Sequence, residues 1–135
     1  MNYELRLVVP NSTLKAAPVE GTLKIHPGVV TRVRLLWPTG AAQLGHAQVF
    51  RFSKVLWPPY DDQDFTGNGL PIEWNEEYEI IEPPYELTVR AWNDDDTFPH
   101  TLTFGVAVLP IDTAAGGGVL KKLTNFFLKF GQGQI

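Results

Sequence analysis

Cysteine is absent from this chain of 135 residues. That excludes a disulfide framework and any thiolate zinc site, and it says nothing about compartment. Serine is scarce as well. Ser12 and Ser53 are the two present, and neither lies in the setting of a nucleophile elbow. The three histidines, His26, His46 and His100, are far apart and lack the paired spacing of a metal site. No apolar run approaches the length that spans a bilayer. The first residues, Met1 to Leu7, have neither the basic start nor the apolar stretch of a signal peptide. The expectation is a chain made in soluble form, without a transmembrane segment. Nothing marks a reaction, so a non-enzymatic protein with no cofactor and no bound metal is expected.

What the chain has is turn punctuation. Its 11 prolines and 12 glycines fall between apolar runs in a sequence that is 44% hydrophobic, enough to bury one core. Those runs alternate with period two. Leu5, Leu7 and Val9 oppose Glu4, Arg6 and Val8; Leu23 and Ile25 oppose Thr22 and Lys24; Val33 and Leu35 oppose Arg32 and Arg34. Pro27-Gly28 predicts a type II turn, with proline at its second position and glycine at its third. Gln43 to Trp57 reads as one long strand with Phe50, Phe52 and Leu56 on one face, stopped by Pro58-Pro59. Pro71 to Trp74 and Tyr78 to Ile81 read as two short strands. Leu87, Val89 and Ala91, then Leu102, Phe104, Val106 and Val108, mark two core strands. Seven to nine short strands without a helix between them predict an all-β, antiparallel β-sandwich. The long strands and loops favour a jelly-roll-like sandwich over a tight barrel. No internal repeat is visible.

Residues 1–112 form the expected sandwich domain, and 113–135 a separate unit. Thr113 to Gly118 reads as a glycine-rich link. Beyond it the period changes to 3.6, with Val119, Leu120, Leu123, Phe126, Phe127 and Phe130 in one stripe and Lys121, Lys122, Asn125 and Lys129 mostly off it. This predicts a short amphipathic C-terminal helix, too short to be stable without something to pack on. It is the expected partner-binding arm. Its docking ground is its own body, a neighbouring subunit or, as a weaker reading, a membrane surface.

Charge is divided. Residues 61–96 hold twelve acids and one base, Arg90, a net charge of −11, whereas residues 119–130 hold three lysines and no acid. So acidic a mid-chain argues against nucleic acid as a partner. Within it, Asp62 to Glu73 spaces Asp62, Asp64, Thr66, Gly67 and Glu73 like an EF-hand calcium loop. Pro58-Pro59 and Pro71 remove the flanking helices that motif needs, and Gly69 occupies the position where an apolar residue pairs with a sister loop. An acidic hairpin loop turning at Gly67-Asn68-Gly69 is expected instead. A lone calcium site stays open, and Asn93 to Asp96 would share a cation with it only if the fold joins the two loops. Trp57, Tyr60 and Trp74 flank the acidic loop and are the candidate ligand-facing aromatics of a carbohydrate site. Alternatively, these rings cap the core.

The strand series from Leu5 to Leu109, followed by the arm from Gly116 to Phe130, resembles the single-jelly-roll capsid and decoration proteins of phages and archaeal viruses. The resemblance is architectural and spans the whole chain. It implies a structural subunit that assembles as a homo-oligomer and with other assembly proteins, located in the virion. The alternative from another class is a carbohydrate-binding β-sandwich module, calcium-assisted or not.

Overall fold

A computed structural model describes residues 1–111; the predicted arm, from Val119 to Phe130, lies outside the described residues. Eight strands follow one another: β1 (Asn2–Val9), β2 (Val19–Lys24), β3 (Gly28–Leu36), β4 (Gly45–Arg51), β5 (Lys54–Trp57), β6 (Ile72–Ile80), β7 (Glu86–Asn93) and β8 (His100–Pro110). They form two four-stranded antiparallel sheets of order β1-β8-β3-β6 and β2-β7-β4-β5. Among the described residues there is no helix, and none is long and apolar enough to cross a membrane.

The pairing is nested. β1 pairs with β8, β2 with β7, β3 with β6 and β4 with β5. The inward faces are the alternating apolar sets: Leu102, Phe104, Val106 and Val108 of β8 and Val33 and Leu35 of β3 from one sheet, Leu87 and Val89 of β7 and Ala47 and Val49 of β4 from the other. All join one buried cluster, which makes the architecture β-sandwich-like. Fully burying a side chain of this size contributes roughly 1.5–3 kcal/mol. The outward positions of β8, Thr103, Gly105 and Ala107, are small where this strand lies between β1 and β3.

Three local expectations are corrected. The run from Gln43 to Trp57 is two strands, not one. The chain reverses at Phe52 and Ser53, whose φ angles of 55° and 64° are left-handed. A two-residue hairpin of this kind normally carries Asn-Gly, and its absence hid the turn. The two short strands expected between Pro71 and Ile81 are one, β6, because the ladder against β3 passes the polar stretch with a register shift at Glu76 and Glu77 and resumes at Tyr78. Gly28 is not the positive-φ residue of a type II turn. It opens β3, paired with both Ile80 and Pro110, and a Cβ there would lie 2.3 Å from the Leu109 carbonyl oxygen. Glycine is needed for close backbone approach.

Two stability changes follow. Gly28→Ala drives a methyl group into the β8 backbone and is expected to lower stability by about 3 kcal/mol. Ser53→Gly relieves a left-handed conformation and is expected to raise it by about 1 kcal/mol. Both read out as shifts in the urea midpoint at unchanged slope.

Candidate functional site

β5 has four residues and β6 has nine. Each is the outer strand of its sheet. Pro58 and Pro59 follow β5 and cannot donate to a ladder, so β5 stops there while β6 runs on. Trp74, Glu76 and Tyr78, alternate and half-buried residues of β6, are consequently left partly uncovered. They line a cleft of about 470 Å3 together with Leu56, Trp57, Pro58, Pro59 and Phe65.

The cleft wall is a set of interlocked rings. Trp57 meets Trp74 edge to face at 5.8 Å and Tyr78 at 5.9 Å, while Phe65 stacks on Trp74 at 5.3 Å. Such pairs add about 0.5–1.5 kcal/mol each beyond the area they bury. Phe65 is placed by a backbone bridge to Ala47 of β4. Glu76 is the one acidic lining residue, and its carboxylate accepts the indole N–H of Trp74 at 2.9 Å. At the Tyr78 end, Arg51 donates to the Tyr78 hydroxyl and to the Glu82 carbonyl and lies 4.1 Å from the Phe52 ring centroid.

Of the three aromatics singled out from the sequence, the structure brings two together. Trp57 is only 5% exposed and serves the core with its body. Trp74 faces the cleft. Tyr60 is 62% exposed and does not line it. Sequence reasoning missed Phe65, Glu76 and Tyr78. The signal for two of them was present: Trp74, Glu76 and Tyr78 are spaced by two, which places them on one face of a strand.

The acidic loop that scans like a calcium site is held by protein groups. Gln48 donates its side-chain amide to the carbonyls of Asp61 and Gln63, Trp37 donates its indole N–H to the Phe65 carbonyl, and the Asn68 side chain accepts the amides of Gly40 and Ala42. Gly69 has a φ of +84° and a Cβ there would meet Thr39 at 2.4 Å. Asp64 binds His46, while Glu73 binds Arg32 and Arg34. Two of the motif's carboxylates, Asp64 and Glu73, are therefore engaged by different protein groups. Among the described residues no three His, Cys, Asp or Glu side chains group as metal ligands do. β5 and β6 belong to different sheets, so the loop is a crossing between sheets and not the expected hairpin.

The fold does join the two acidic loops, through His46. Its Nδ1 lies 2.7 Å from Asp64 and its Nε2 2.8 Å from Asp94, and the ring stacks nearly parallel on Trp92 at 5.3 Å. Both ring nitrogens face carboxylate oxygens. Lys15 lies 5.4 Å from the Trp92 centroid. Close by, Asn93 donates to the carbonyls of Val9 and Phe98 and accepts the Asp95 amide, while Asp95 accepts the amides of Thr97 and Phe98 and pairs with His100 at 2.8 Å. The Thr97 amide, then the His100 side chain, then the Phe98 amide hold the Asp95 carboxyl below the usual aspartate range.

A second depression, about 500 Å3, lies over Gly105 and Ala107 of β8, between Tyr3 and Glu4 and the pair Arg32 and Arg34. It forms where β8 is small-faced, and its arginines are already paired with Glu73. The aromatic cleft is thus the better candidate. No family model, curated protein or solved structure matches this chain.

Because the folded pKa of Asp95 is lowered, its stabilising contribution is complete above the ordinary aspartate range and is lost as pH falls through the lowered value. Asp95→Asn is expected to be less stable than wild type near neutral pH. The gap should narrow with acidification below about pH 4, the usual aspartate value. Urea unfolding across pH checks this.

Proposed function

We propose that this chain is a non-enzymatic structural subunit, a single jelly roll that oligomerises as a capsid, decoration or similar virion protein. The nested pairing of β1 with β8, β2 with β7, β3 with β6 and β4 with β5 carries the reading. This pairing, with sheets of order 1-8-3-6 and 2-7-4-5, supports a jelly roll. The inference from fold to assembly is by analogy.

Two features support it. The outer strands of the first sheet, β1 and β6, are eight and nine residues long and carry no lysine to block their free edges. Exposed apolar side chains also stand at loops and strand ends: Leu14, Leu44, Leu70 and Phe98 in loops, Phe52 on the β4–β5 tip, and Val8 near the end of β1. Side chains of this kind would be covered in an assembly.

The aromatic cleft favours a second reading, a carbohydrate-binding module. Against it, the Trp57, Trp74 and Phe65 rings are engaged with one another, which leaves little free ring face for a sugar. A glycan array with calcium present tests that reading, which predicts selective binding lost in Trp74→Ala.

Mass photometry and negative-stain imaging test the assembly reading. The expected outcome is defined oligomers that grow with concentration. A protein that stays monomeric at the highest attainable concentration, with and without residues 119–135, contradicts it.

A further inference from the structure

The aromatic and apolar chemistry of the cleft is matched by a segment of the chain itself. We infer that the β5–β6 cleft receives residues 119–130 of the same molecule, with the apolar stripe against Trp74 and Tyr78 and a lysine beside Glu76.

Three observations converge. The first is where the chain leaves the fold. Ile111 donates its amide to Pro27, and Pro110 pairs with Gly28, which pairs in turn with Ile80 at the end of β6. The exit is therefore two strand spacings from β6, roughly 10 Å, and Tyr78 is about 7 Å further along that strand. Seven residues, 112–118, separate the exit from Val119. A glycine-rich stretch of that length spans about 15 Å on average, which matches the path.

The second is charge. Glu76 is inside the cleft, Glu77 and Glu79 lie on the exposed face of the same strand, and Glu82 follows it. Among the described residues none of these four carboxylates is in an ion pair. Residues 119–130 carry Lys121, Lys122 and Lys129 and no acid.

The third is chemistry. The cleft is aromatic and apolar apart from Glu76, and six of the twelve residues from 119 to 130 form the apolar stripe. The same molecule is favoured over a neighbour because a tether that just spans the gap holds its end at millimolar effective concentration. The inference stands apart from the assembly reading.

The test uses the full chain and its four indole N–H signals. With no native cysteine, Asn125→Cys takes a single spin label, off the apolar stripe. In the 15N-labelled, spin-labelled protein, the Trp57 and Trp74 signals are expected to lose most of their intensity and the Trp92 signal to keep it. In a mixture of 14N spin-labelled and 15N unlabelled protein, no signal should change. Glu76→Lys should restore much of the lost intensity, and Glu4→Lys, on distant β1, should restore none. The four indole signals also report that each variant is folded. Unaffected Trp57 and Trp74 signals overturn the inference. So does broadening seen only in the mixture, which would mean exchange of the segment between copies and would favour the assembly reading.

Discussion

Nested antiparallel pairing is the constraint on which the rest of this structure depends. When each strand pairs with its counterpart counted from the other end, β4 and β5 are neighbours in both sequence and sheet, and a two-residue turn between Arg51 and Lys54 joins them. The Phe52-Ser53 tip provides that turn at the expense of two left-handed residues without glycine. The same scheme pairs the first strand with the last and brings the chain exit beside Gly28 and Ile80. It also sets β5 and β6 at the outer edges of different sheets. Pro58 and Pro59 end β5 after four residues, and β6 continues for nine. The cleft is the consequence of that mismatch, and Trp57, Phe65, Trp74 and Tyr78 are the rings left to close it.

The same topology explains the acidic loops. Residues 61–64 and 93–96 are remote in sequence, yet His46 holds Asp64 and Asp94 from its two ring nitrogens. The His46 ring, supplied by the protein, stands between the two clusters. Around it, Gln48 and Trp37 donate to backbone carbonyls of the long crossing between sheets, and Asn68 of that loop accepts the amides of Gly40 and Ala42. Asp95 and His100 do the equivalent for the turn into β8.

Much of the fold was legible where one face is buried and the other is not. β1 and β8 alternate cleanly because they pack one face on the core, as do Val33 and Leu35 of β3 and Leu87, Val89 and Ala91 of β7, and these inward residues were legible. Legibility failed where another rule prevailed. β4 is buried on both sides, with Phe50 against Arg90 on the outer face, so its alternation ran into β5 without a break. β6 is an edge strand with Glu76 on its inward face, and the polar run Asn75 to Glu77 interrupts the apolar alternation that marks a strand. Gly28 looked like turn punctuation, yet close approach of Leu109 requires it. Of the candidate site, Trp57 and Trp74 were visible as flanking aromatics, but Phe65 and the His46 link depend on which loops the topology brings together, which local spacing does not encode.

The pairing of β2 with β7 is the most discriminating part of the account, because an up-and-down barrel would also join first and last strands but would place β2 beside β1 and β3. Thr22 and Thr88 are directly opposed on the outer face of that pair. Opposed antiparallel residues have a Cα separation within disulfide range. In this cysteine-free chain, the double variant Thr22→Cys with Thr88→Cys is expected to oxidise rapidly to one intramolecular disulfide, detected by mass spectrometry, whereas Thr22→Cys with Thr31→Cys on β3 should remain reduced. Failure of the first pair to close, or closure of the second in its place, would contradict the nested fold.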